Sequence, residues 1–276
     1  MAIALLLLVG GVAVGIFGSL LGLGGGLLIV PLLTLGFHLP LREAIGVSLV
    51  CVIVTSGATA GVFLERRVAN LRLGMVLELF TAIGALLGGL VAFLLDERVL
   101  AGLFATLLVY VAVSMLRPRG ATTAPATGGP ADANGAPADG SGFVERLSGP
   151  GYRIRSLPAG FVGSVGAGVT SALLGIGGGL VKVPVMHIVM GVPLRIATAT
   201  SNLMIGITAS TGAWIYLLRG GIDPYATGPT AMGVFLGATI GARVAHRVDL
   251  RVLRVLFAVV LVYTAAQMVR RAAGMQ

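Results

Sequence analysis

The sequence predicts an all-α polytopic membrane protein. It is read as two homologous repeats of inverted topology, each an interrupted or re-entrant helical segment followed by three transmembrane helices. Three observations carry this. First, 57% of the 276 residues are hydrophobic, 11% are charged and the mean hydropathy is +1.02, whereas an ordinary soluble domain carries about 25% charged residues. Second, Gly22-Leu23-Gly24-Gly25-Gly26, followed by Pro31, recurs as Gly175-Ile176-Gly177-Gly178-Gly179, followed by Pro184, at an offset of 153. The same offset relates Pro40 to Pro193, Arg42 to Arg195, Ala44 to Ala197, Ser48 to Ser201, Gly84 to Gly237, Gly88 to Gly241, Asp96 to Asp249 and Tyr110 to Tyr263. Third, the basic loop changes place between the copies.

In chain order, the first repeat (1–117) holds apolar runs at 2–37, 41–64, 73–95 and 99–116. The second (156–276) holds them at 157–190, 195–218, 226–246 and 252–269. Apart from the opening run of each repeat, every run is close to the ~20 residues that a bilayer core requires. The opening run, Ala2 to Phe37, lacks a basic n-region and is partly copied inside the chain, so it reads as structure rather than a secretory signal. Residues 118–155 form a linker on the cytoplasmic side. Pro118 to Gly142 are rich in Ala, Gly, Pro and Thr and too poor in large apolar residues to fold; Phe143 to Arg155 read as a short interfacial piece.

Orientation follows from equivalent loops. After the second run the first copy carries Arg66, Arg67 and Arg72, and the second carries Arg219 against Asp223. After the third run the bias reverses, with Asp96, Glu97 and Arg98 in the first copy and Arg243, Arg247, Arg251 and Arg254 against Asp249 in the second. Since cytoplasmic loops collect Lys and Arg, the halves face opposite ways. Residues 2–37 must then enter and return to one side, turning at the glycines, and Arg270 and Arg271 fall outside. The net charge of +9 is thereby assigned to membrane orientation and not to nucleic acid. The single cysteine, Cys51, sits in an apolar run and excludes an intrachain disulfide.

A glycine cluster between short apolar segments marks a broken helix, tolerated in a bilayer where protein or a water-filled cavity satisfies the backbone. Inverted repeats with discontinuous helices place substrate near the midplane, with helix N-termini aimed at anionic groups. Gly22, Gly24, Gly25, Gly26, Gly175, Gly177, Gly178 and Gly179 are therefore candidate substrate-binding residues. Gly84/Gly88 and Gly237/Gly241 read as helix-packing glycines. Lys182, the only lysine in the protein, lies three residues after Gly179, where the first copy has Ile29. A cation within a span is a functional candidate, and a bound anion would offset its burial; snorkelling to an interface is the plainer alternative. Ser48, Thr200, Ser201 and Asn202 offer donors for the same shell, or for capping and interhelical hydrogen bonds. Glu78 is the carboxylate well inside a span, with Ala231 as its repeat equivalent; a proton relay and a place near the cytoplasmic end are both open. His187 reads as interfacial or packed. No metal site, catalytic triad or phosphate loop is spelled out, so the sequence indicates neither enzyme nor cofactor.

The two motifs Gly-x-Gly-Gly-Gly-x-x-x-Val-Pro at 22–31 and 175–184 continue as Pro40-x-x-x-Ala44-x-x-x-Ser48 and Pro193-x-x-x-Ala197-x-x-x-Ser201. In these the sequence resembles the sulfite exporter TauE/SafE family over nearly the whole chain outside the linker. The resemblance implies a bacterial cytoplasmic-membrane permease for sulfite, sulfoacetate, other sulfonates or related organic anions. The expected function is a secondary transporter exporting a small anion by alternating access. An anion channel of the same architecture, or a membrane-embedded enzyme or assembly factor, are the alternatives. The expected partners are that anion and the lipid bilayer, and a homo-oligomer is compatible with the sequence.

Overall fold

A computed structural model describes residues 2–21, 25–65, 69–116, 154, 156–244 and 250–272. The linker, apart from Ile154, therefore lies outside the described residues, as do Arg66, Arg67 and Arg247. All secondary structure among the described residues is helical. We number the helices α1 (Ala2–Leu21), α2 (Gly26–Pro31), α3 (Leu41–Glu65), α4 (Leu71–Leu94), α5 (Glu97–Leu116), α6 (Leu157–Leu174), α7 (Gly179–Pro184), α8 (Leu194–Leu218), α9 (Pro224–Val244) and α10 (Leu250–Ala272). These bounds lie within three residues of the apolar runs read from the sequence.

The short helices α2 and α7 each end on a proline and continue as a π-helical turn, Leu32–Gly36 and Val185–Val189. Pro31 and Pro184 lack the N–H that would bond the carbonyl four residues back, and the wider turn follows directly at the same place in both halves. Each short helix folds back along the long helix before it. Gly10 of α1 faces Leu32, while Gly163 and Gly160 of α6 face Val185 and Met190. Helix α1 with α2 and its π-helical turn, and α6 with α7 and its own, thus form two hairpins.

The long helices pair across the halves. Gly233, Gly237 and Gly241 of α9 pack in turn on Leu8, Val12 and Ile16 of α1, so these two helices run in the same direction. Gly84 and Gly88 of α4 pack on Val165 and Val169 of α6, again in the same direction. A Cβ added at Gly84 would lie 2.2 Å from the Val165 carbonyl oxygen. These glycines let two backbones touch, the device by which helices associate in a solvent as apolar as leucine. Helices α4 and α8 also run together, with Gly74 beside Thr200 and Gly89 beside Ile215. Helix α3 runs against α8, since Ser56 bonds the Asn202 carbonyl while Leu49 faces Gly212. Helices α5 and α10 pack together at the flank.

The interior is filled by α2, α3 and the middle of α8, with Leu27, Ile29, Val30, Leu33, Ile45 and Cys51 fully buried. Large apolar side chains point outward. Met75, Leu79, Ile83, Leu87, Leu90 and Leu94 of α4 are all exposed, a stripe that lipid would cover. Five helices among the described residues (α1, α3, α4, α5 and α6) contain stretches long and apolar enough to cross a membrane. Helices α8, α9 and α10 match them in length, at 25, 21 and 23 residues, but carry the polar run after Thr198, two prolines and several arginines respectively.

Candidate functional site

Gly22 and Gly24 lie outside the described residues. The remainder of the two clusters meets at the middle of α3. A Cβ on Gly26 would lie 2.5 Å from the Gly175 carbonyl oxygen and 2.7 Å from Val52, so only glycine lets the two broken segments approach this closely. Ser48 closes the junction. Its hydroxyl lies 2.7 Å from the Gly175 carbonyl oxygen and 3.2 Å from that of Gly26. That donor is committed to the backbone of both clusters, which makes Ser48 a clasp. Gly25 and Gly178, the N-caps of α2 and α7, hold matching left-handed conformations with φ of 76° and 74°. Each carbonyl accepts the first amide bonds of its short helix, from Leu28 and Ile29 or from Val181 and Lys182.

The second cluster is lined by hydroxyls. Ser171 and Ser201 are completely buried, and neither oxygen has a hydrogen-bond partner among the described residues. A Cβ on Gly178 would sit 3.2 Å from the Ser171 Cβ, and one on Gly179 would sit 3.5 Å from the Ser201 Oγ. Buried hydroxyls are ordinarily paired, and leaving one unpaired costs about 1–3 kcal/mol. The two are therefore free to bind a small polar group beside the glycine backbone. Thr200 is occupied elsewhere, since its Oγ1 accepts the Asn70 amide at 3.0 Å where α4 starts. The Asn202 carbonyl accepts from Ser56 at 2.8 Å. Ser171 escapes the sequence reading because its repeat equivalent is Gly18, so comparison of the copies gives it no weight.

Lys182 does not snorkel. Its side chain is 1% exposed, and its Nζ lies 2.8 Å from Glu78 Oε2 and 2.6 Å from Thr208 Oγ1. Thr208 Oγ1 lies 2.6 Å from Glu78 Oε1, closing a three-membered polar ring between α4, α7 and α8. Glu78 is itself buried in the bundle. The lysine that invited an anion from sequence alone already has a carboxylate against it. The repeat equivalents are Ile29, Ala231 and Thr55, so the pair joins Glu78 of the first half to Lys182 of the second, and the corresponding positions with the halves exchanged hold the apolar Ile29 and Ala231. That double asymmetry, one cation and one anion each without a counterpart, is the sequence signal that links two residues 104 positions apart. His187 is exposed, and its Nδ1 pairs with the Val192 carbonyl at 2.9 Å.

Among the described residues no group of three or more His, Cys, Asp or Glu could hold a metal ion. What converges instead is glycine backbone with the hydroxyls of Ser48, Ser171 and Ser201. The model of the family described as Sulfite exporter TauE/SafE matches residues 7–268. The chain belongs to this family. It is 24% identical over 272 residues to the probable membrane transporter protein YunE of Bacillus subtilis, covering 96% of each chain. A probable membrane transporter protein of Methanocaldococcus jannaschii is 25% identical over 276 residues, covering 93% of this chain and 91% of its own. A second Bacillus subtilis relative, the probable membrane transporter protein YdhB, is 24% identical over 232 residues, at 83% and 85% coverage. No solved structure matches. The family and the names of these relatives indicate a multi-pass membrane transporter.

Proposed function

We propose that this TauE/SafE member is a secondary transporter that exports sulfite or an organosulfonate across the bacterial cytoplasmic membrane by alternating access. The observation that carries the reading is the pair of buried hydroxyls of Ser171 and Ser201, unpartnered among the described residues, beside the second glycine cluster where the two broken segments meet. In this reading Gly177, Gly178 and Gly179 supply backbone N–H groups, Gly175, whose own N–H bonds the Ser171 carbonyl at 2.8 Å, shapes the turn that presents them, and Gly22, Gly24, Gly25 and Gly26 complete the shell from the other half. Ser48 and Thr200 hold the frame, Asn202 lies at its edge, and Lys182 with Glu78 fixes α7 in place.

The inverted-repeat part of the proposal rests on helix directions. Helix α1 runs with α9, and α6 runs with α4, while α3 runs against α8. A two-fold relation in the membrane plane would generate this exchange of partners, and in this reading the site lies at the repeat interface. Cysteines introduced singly at Arg67 and Arg247, in a Cys51→Ala background, should both resist an impermeant thiol reagent in intact cells, and one at Arg219 should react. Labelling of the Arg247 position from outside would refute inversion.

Transport itself is tested by counterflow. Proteoliposomes preloaded with unlabelled sulfite should transiently accumulate labelled sulfite from outside, and the Ser171→Ala/Ser201→Ala double variant should need at least about tenfold more substrate, which corresponds to about 1.4 kcal/mol. A panel with sulfate, sulfoacetate and small carboxylates ranks the anions. Flux without accumulation would favour a channel, and no exchange of any panel anion would reject the proposal.

A further inference from the structure

A cleft between the π-helical turn after α2 and the last helix, α10, has two chemically different parts. One is a cavity of about 570 Å³ whose walls include His38, Gln267, Arg270 and Arg271. The other, of about 450 Å³, is walled by apolar side chains that include Phe17, Leu28, Phe257 and Val260. Leu35 and Tyr263 line both, so the two parts adjoin. Among the described residues no carboxylate lines the polar part, and its two guanidinium groups face one space without a described counter-charge on its walls. Tyr263 and Val260 are 62% and 39% exposed on the outer wall of the bundle, so the cleft opens sideways, toward the bilayer.

The local backbone points the same way. His38 has φ of 54°, a left-handed conformation that is uncommon for residues other than glycine. The equivalent residue of the second half is Gly191, with φ of 73°, so the turn demands this conformation and glycine supplies it freely. The first half instead places an imidazole there, on the wall that carries the two arginines. Placement at a helix C-terminus accounts for Arg270 and Arg271 through the helix dipole, but it accounts neither for His38 nor for the apolar continuation.

We infer that this cleft is a binding site for one phospholipid with an anionic headgroup. Its phosphate lies against Arg270 and Arg271, and an acyl chain enters the apolar part past Leu35 and Tyr263. A small free anion would use the first part alone and leave the apolar wall without a role; the amphiphile uses both. The cationic wall also disfavours a choline headgroup. The inference is independent of which anion the protein transports.

Native mass spectrometry of the purified full-length protein tests it, with phosphatidylglycerol, phosphatidylcholine and inorganic phosphate as probes. Phosphatidylglycerol should bind at least about tenfold more tightly than phosphatidylcholine, and excess inorganic phosphate should not displace it. Arg270→Ala/Arg271→Ala should weaken phosphatidylglycerol at least tenfold. Val260→Trp, which fills the apolar part and leaves every charge in place, should do the same, and it keeps the test available if the double variant folds poorly. Unchanged phosphatidylglycerol binding by either variant, equal binding of phosphatidylcholine, or displacement by inorganic phosphate (the mark of a free-anion site) would each overturn the assignment.

Discussion

Lys182→Met is expected to destabilise the protein by about 3–5 kcal/mol, the usual cost of removing one partner from a buried ion pair. The methionine keeps the apolar stem and approximate length of lysine, so packing against α8 changes little and the loss is electrostatic. Glu78 would be left in the bundle with Thr208 as its remaining neighbour in the ring, a donor that cannot balance a full charge. Glu78→Leu should cost a similar amount by stranding the ammonium. The double variant Glu78→Leu/Lys182→Met should recover most of the loss, because a buried pair replaced by apolar residues is often neutral in stability. The sum of the single effects should therefore exceed the double effect by well over the ~0.5 kcal/mol expected of independent sites. Reversible unfolding of the purified protein in detergent measures all four proteins of the cycle. Additive effects would remove the pair from any account of how α7 is held. The same variants separate folding from binding: a double variant that is stable and yet exchanges sulfite normally assigns the ring to architecture, and one that is stable but inactive assigns it to transport.

The helices were legible because a bilayer imposes long apolar runs, and the duplication fixed where they begin. The packing glycines were legible as well, since Gly84 and Gly88 recur as Gly237 and Gly241 with the same spacing. The candidate site was legible only where the copies agree. Gly25 and Gly178 share one left-handed conformation, and the repeat exposes them together. Residues that break the repeat carry information of a different kind. Lys182 was visible as a lone cation, but its partner sits on another helix 104 residues away, and no local pattern announces a contact of that range. Ser48 and Ser201 occupy equivalent positions yet play different parts, because the first donates to the carbonyls of Gly26 and Gly175 and the second has no partner among the described residues. Sequence equivalence sets the backbone position. What each hydroxyl does depends on which neighbour the opposite half brings to it, and that is a property of assembly.

The glycine at the start of α7 should tolerate substitution least. Gly178→Val combines two costs that the structure separates. At φ of 74° a β-branched side chain is an outlier, and a strained backbone of this kind costs about 1–3 kcal/mol. In addition, the new Cβ would lie 2.9 Å from the Ala167 carbonyl oxygen and 3.2 Å from the Ser171 Cβ, and overpacking adds typically about 1–3 kcal/mol. The clash falls on α6 beside Ser171, so α7 must shift away from the hydroxyl that the proposed site uses. Gly25→Val carries the strain without the clash, since its nearest neighbour would be 3.8 Å away. Gly178→Val is therefore expected to insert into the membrane and abolish sulfite exchange, and Gly25→Val to retain a measurable fraction. Gly25→Asn should fall closer to the native protein, because asparagine enters the left-handed region more readily than other residues. Gly57→Ala, in open space on α3, is the control and should leave exchange unchanged. The measurement is counterflow per inserted molecule, with insertion read by membrane extraction. Native exchange by Gly178→Val would mean that α7 moves freely against α6, and the second cluster would lose its claim to be a fixed half of the binding site.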